Sequence, residues 1–167
     1  MLNKHTTTIF AALFLLLSIG ANNYKRVSAA DEGIEVYRIA HEQKMQKELT
    51  CLTRNVYFES ASEPYKGKIA VAQVTINRML SGYYPSTVCG VVHQRTNDIC
   101  QFSWVCAKGQ TVRSQELYAE SQQVAHRVLI DGYRIPELKN AMFFHADYVS
   151  PNWRKKPKAK IGRHIFY

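Results

Sequence analysis

No glycine-rich phosphate signature, no internal repeat and no apolar run of membrane length occurs in this sequence. GxGxxG and GxxxxGK are both missing, which argues against dinucleotide-binding and P-loop folds. CxxC and HExxH are missing too, and the six histidines are scattered, so spacing predicts no metal site and no cofactor is called for. The apolar stretch Ile9 to Ala21 has 13 residues, fewer than the roughly 20 that a helix needs to cross a bilayer. Acids are scarce as well: 13 Asp and Glu stand against 22 Lys and Arg among 167 residues. A chain of this length supports one ordinary domain with its own core.

What is present at the start fits a secretory leader. Lys4 precedes the apolar stretch, and Val27-Ser28-Ala29-Ala30 supplies small residues for a cut after Ala29 or Ala30. Lys25 and Arg26 between run and cut are unusual for such a segment. The expected organisation is therefore a signal peptide over 1–30, a polar lead over 31–46 and one domain over 47–167, exported to the periplasm or cell envelope. Removing residues 1–29 leaves 19 basic against 13 acidic side chains, a formal +6.

Six of those charges, Arg154, Lys155, Lys156, Lys158, Lys160 and Arg163, fall within ten residues. Such a run attracts any polyanion. Export points away from nucleic acid and towards the anionic polymers of an envelope, while a loop merely solvated for solubility accounts for the run equally well. Cys51, Cys89, Cys100 and Cys106 in an exported domain imply two disulfides out of three possible pairings. Closeness in sequence favours Cys100 with Cys106, leaving Cys51 with Cys89; free buried cysteines are the competing reading.

Periodicity predicts a mostly helical α+β domain. Leu49, Leu52 and Val56 recur at helical steps, and Glu59 continues the row. Pro64 stops that helix and suits the first turn of another, Lys68 to Leu80, whose nearly all-round apolar character marks a central helix. A short helix over Val88 to Val92 follows. Arg95 to Gln110 has no period and reads as a loop. Ser114 caps a fourth helix with Leu117, Val124, Val128 and Leu129 facing inward and Asp131-Gly132 as its stop. Ala141 to His145 and Ile161 to Tyr167 are short and β-prone, and predict an antiparallel strand pair.

Cleaving a glycosidic bond needs a proton donor that is still protonated near neutral pH, which burial among apolar groups provides. Glu59 lies on the row of Leu52 and Val56, beside Tyr57 and Phe58, at the negative pole of its helix. A surface glutamate at a frayed helix end would look the same locally. Glu63 is a nearby second acid, and Asp98 and Asp147 are further candidates, but no pair stands out. Gln101-Phe102-Ser103-Trp104 combines amide, hydroxyl and rings suited to binding a sugar, and His145, Tyr148 and Trp153 form another polar-aromatic group.

Several ordered blocks resemble the SleB/CwlJ family of cell-wall hydrolases, named for spore cortex-lytic enzymes: ESASEPYKGKIAVAQV from Glu59, Asn77-Arg78, Tyr84 to Val92, the QFSW of Gln101 to Trp104, FFHADYVSPNW from Phe143, and IGRHIFY. The likeness runs from about Leu49 to Tyr167. It implies a lysozyme-like domain acting on peptidoglycan without a metal, muramidase chemistry of the lytic-transglycosylase kind, and Glu59 as general acid and base; a monomer is expected. Glu63, Gln101, Phe102, Ser103, Trp104, His145 and Tyr148 are the expected substrate contacts. Where the family commonly has Gly-Glu-Ala-Arg-Gly-Glu-Pro, this chain has Phe58 to Pro64 as FESASEP, without the arginine or the glycines. An N-acetylmuramoyl-L-alanine amidase and a non-enzymatic envelope-binding protein are the alternatives.

Overall fold

The computed structural model describes residues 29–167, so the expected leader lies outside the described residues except for its last two positions. The chain divides into two compact units, Met1–His41 and Glu42–Tyr167. Of the first, the described part is helical and exposed, Ile34, Val36 and Tyr37 included. It is the start of α1, Ala29–Ser60. The expected polar lead is thus helix. Its Glu, Lys, Gln, Arg and Ala residues are strong helix formers, and Arg38 braces Glu35 one turn away at 2.6 Å.

In the second unit, Leu52 and Val56 are fully buried and begin the core. The helix ends as expected: Ser60 Oγ donates to Val56 O, Glu63 N donates to Ser60 O, and Pro64 caps α2, Tyr65–Leu80. Helix α2 is buried around most of its circumference. Most of its buried polar groups are partnered, as buried polar groups usually are; Nη1 of Arg78 is the exception. Lys68 pairs with Glu120, and Asn55 donates to Thr75 at 3.0 Å. Gln73 exchanges two hydrogen bonds with the backbone of Ile135, at 2.7 and 3.1 Å. Asn77 donates to Leu138 O and Ala141 O, and Arg78 Nε to Met142 O. One helix therefore holds the whole approach to the C-terminal sheet.

Helix α3, Val88–Val92, is capped by Thr87, whose hydroxyl accepts the Gly90 N–H. Helix α5, Gln115–Leu129, is capped by Ser114 and buries Val124, Ala125 and Val128 against α2. Between them the aperiodic stretch holds more order than its composition predicts. Strands β1, Arg95–Thr96, and β2, Ile99–Cys100, form a hairpin whose turn residues Asn97 and Asp98 both have positive φ, a conformation that these two residue types tolerate. The short α4, Ser103–Cys106, follows. Both disulfides pair in the favoured way: Cys51–Cys89 joins α1 to α3, and Cys100–Cys106 staples β2 to α4.

The tail has three strands, not two. β3, Phe144–Ala146, and β4, Ala159–Ile161, flank the central β5, His164–Phe166, and all neighbours are antiparallel. The segment expected as a single strand, Ile161 to Tyr167, contains a turn at Gly162, whose φ of +59° lies in the left-handed region.

Candidate active site

A cleft of about 340 Å³ opens where the end of α1, the end of α2, the 100–103 segment and the start of the sheet meet. Glu59 and Arg78 are its charged walls, Gln101 and Ser103 are polar walls, and Phe143 and Trp153 are among its rings. A smaller cavity of about 160 Å³ lies beside Glu59 and is lined by Ser62, Glu63, Tyr148, Arg163 and His164. Glu59 thus borders both.

Burial pushes the Glu59 carboxyl up to about 7, opposed by the nearby Arg78 guanidinium. The helical row that carries Leu52 and Val56 into the core brings Glu59 to its edge, so the acid is shielded from water on the protein side and open on the cleft side. No other carboxylate lines the larger cleft. Asp147 is bound to Lys160 at 2.9 Å, and Asp98 sits in the β1–β2 turn.

Glu63 is 8% exposed, and its Oε2 accepts the backbone N–H of Arg163 at 2.8 Å. The position thus locks the α1–α2 corner to the β4–β5 turn while also bordering the smaller cavity. His164 Nδ1 lies 3.9 Å from the same oxygen, and burial holds the His164 ring below its ordinary value, against the opposing pull of Glu63.

The QFSW segment divides. Gln101 and Ser103 line the cleft, and Phe102, a core residue only 3% exposed, forms part of its floor. Trp104 turns inward instead: it stacks on Phe58 with centroids 4.7 Å apart and donates Nε1–H to Asn55 Oδ1 at 3.0 Å. Buried polar Asn55 gives the indole N–H its partner within the core. The exposed ring at the cleft is Trp153, set edge-on to Phe143. His145 lines neither cavity; its Nε2 meets the Tyr167 hydroxyl at 2.9 Å and its ring stacks on Tyr167. Tyr148 is 76% exposed at the smaller cavity, under the Arg163 guanidinium.

Arg78 is the residue that sequence reasoning passed over. Its signal was the one guanidinium in the last turn of a helix that is buried around most of its circumference. The basic run is split: Arg154, Lys155, Lys156 and Lys158 are exposed on the loop between β3 and β4, where Lys155 covers the Phe143 ring at 4.5 Å, while Lys160 falls within β4 and Arg163 in the β4–β5 turn. Lys160 is engaged by Asp147. Among the described residues no group of three or more His, Cys, Asp or Glu is gathered as a metal site, and no helix is long and apolar enough to cross a membrane.

Residues 62–167 match the family profile described as Cell Wall Hydrolase. A spore cortex-lytic enzyme of Bacillus cereus is 31% identical over 125 residues, 72% of this chain and 44% of that protein. A spore cortex-lytic enzyme of Bacillus subtilis is 30% identical over 123 residues, 71% of this chain and 37% of that protein. The matched region is thus less than half of these relatives. The crystal structure of the catalytic domain of the Bacillus cereus SleB protein superposes with a TM-score of 0.55 at 29% identity, covering 72% of this chain and 89% of that one. The fold is the lysozyme-like one of that domain.

Proposed function

As the chain belongs to the cell wall hydrolase family, we propose that it cleaves the glycan strand of peptidoglycan, with Glu59 as general acid and then general base. The observation that carries this reading is a single acid, raised to about 7, in a ring-lined cleft with no second carboxylate. Protonated Glu59 gives its proton to the glycosidic oxygen as the bond to the anomeric carbon breaks. The resulting carboxylate then takes the proton of the same sugar's hydroxyl, which attacks that carbon and closes an anhydro ring. No water is consumed, and Glu59 ends as it began. Inverting and retaining hydrolysis both draw on a pair of carboxylates across the bond, and the lone acid of the larger cleft favours the intramolecular route.

Gln101 and Ser103 offer hydrogen bonds to sugar hydroxyls, and Trp153 and Phe143 offer faces for the rings. Tyr148 and Glu63 border the neighbouring cavity, within reach of a strand that passes Glu59. The exposed Arg154, Lys155, Lys156 and Lys158 contact anionic envelope polymer and hold the enzyme, exported and monomeric, near its substrate. Purified protein incubated with sacculi tests the reading. Glu59→Gln is expected to lower the rate by a factor of about 10²–10⁴, the scale of a lost acid–base catalyst, and unchanged turnover in that variant overturns it.

A further inference from the structure

The Arg78 side chain has more donor capacity than the fold uses. The residue is 4% exposed, and its Nε–H donates to Met142 O at 2.8 Å. Nη1 is buried and has no hydrogen-bond partner. Leaving a donor of a charged group unsatisfied is costly, and here it belongs to a side chain that lines the cleft Glu59 borders, with Nη1 itself sealed from solvent until a neighbouring wall gives way. The guanidinium is held in place by rings: its carbon lies 5.3 Å from the centroids of Tyr84 and Phe102 and 6.0 Å from that of Phe143. Phe143 is only partly buried, so it is the wall that can yield to a ligand.

We propose that Arg78 recognises the acetamido group of the sugar bound next to Glu59, with Nη1–H donating to the carbonyl oxygen and the methyl resting against Phe102 and Phe143. The proposal rests on reading the cleft as a glycan site. An amide carbonyl is the acceptor that fits best. A hydroxyl would bring nothing apolar to the ring walls. A carboxylate would neutralise the cation that faces Glu59 when Glu59 ionises in mid-reaction. The same geometry selects against a de-N-acetylated sugar, because its ammonium would be placed against a buried guanidinium in a cleft whose one acid, Glu59, is uncharged while it serves as proton donor.

The test separates binding from chemistry. Glu59→Gln protein is titrated onto intact sacculi, onto sacculi whose sugars have been enzymatically de-N-acetylated, and onto the latter after re-acetylation with acetic anhydride. The expected result is at least about tenfold weaker binding to the de-N-acetylated wall, restored by re-acetylation, the scale of one charge-assisted hydrogen bond. Arg78→Met in the same background is expected to bind all three alike once high salt screens the exposed basic loop, whose attraction to the wall also changes with the wall's charge. Arg78→Lys, which keeps the charge and loses the fork, still disfavours the ammonium but binds the acetylated wall more weakly, and it carries the test if the Met variant fails to fold by circular dichroism. Equal binding to the three walls with Arg78 intact overturns the proposal, as does a preference that survives in a folded Arg78→Met protein. A preserved preference together with no glycan product from the wild-type chain supports the Arg78 assignment and removes the catalytic reading instead.

Discussion

Oε2 of Glu63 accepts the backbone N–H of Arg163 at 2.8 Å, across 100 positions of sequence. This one hydrogen bond ties the corner after the Glu59 helix to the hairpin behind the cleft. It also explains Gly162: a Cβ there would lie 2.0 Å from the same carboxylate oxygen, at a φ that disfavours side chains. Glu63→Ala is therefore expected to cost about 1–3 kcal/mol, the range for a buried hydrogen bond to a charged group. Gly162→Ala is expected to cost at least as much. Urea unfolding of both variants checks this, and a loss under about 0.5 kcal/mol in either contradicts it.

Burial of Glu59 has a thermodynamic signature. Its folded value, about 7, lies above the ordinary 4.5, so between those values the folded state holds more of the proton than the unfolded chain does. Stability contributed by this site is intact below pH 4.5 and falls as pH rises towards 7. Glu59→Gln removes the liability. The variant is expected to be more stable than the wild type at pH 8, by up to about 3 kcal/mol, and to differ little from it at pH 4.5. Thermal melts at the two pH values read the difference directly, and an advantage that does not depend on pH contradicts the burial account.

Asn55 bridges Thr75 and Trp104 within the core, at 3.0 Å to each. Asn55→Ala strands the Trp104 N–H and the Thr75 hydroxyl's bond from Asn55 at once, for an expected loss of about 2–4 kcal/mol. The fluorescence of the Glu59→Gln and Asn55→Ala proteins, compared with the wild type, separates the two sites: only the Asn55 change is expected to shift the emission of buried Trp104. An unshifted spectrum with unchanged stability contradicts the structural role given to Trp104.

Exchange of Arg154, Lys155, Lys156 and Lys158 for glutamine leaves the core untouched, since all four are exposed. Affinity for an anionic wall polymer is expected to fall and its salt dependence to flatten, with stability within about 0.5 kcal/mol of the wild type. Sedimentation with sacculi across a salt series measures both, and an unchanged salt slope removes the loop from the account.

Local periodicity was enough to place Glu59, because a helix repeats its buried face every few residues and the acid falls on that face. The cap at Ser114 was legible for the same local reason, and so was the stop at Pro64. Trp104 was not, because its partner Asn55 lies 49 residues earlier and nothing in an aperiodic loop shows which ring turns inward. The hairpin at Gly162 was hidden in a β-prone run, since the turn depends on Glu63 far away in sequence. Arg78 reads locally as a helix-end charge bound for solvent. Only the packing of α2 beneath Met142, Phe102 and Phe143 makes it part of the cleft.

Mass spectrometry of the fragments released from purified sacculi tests the central claim most directly. Cleavage by Glu59 with intramolecular attack predicts muropeptides that end in anhydromuramic acid, abolished in Glu59→Gln. Fragments with ordinary reducing ends, peptides freed from an intact glycan strand, or the same products from the Glu59→Gln protein would contradict it.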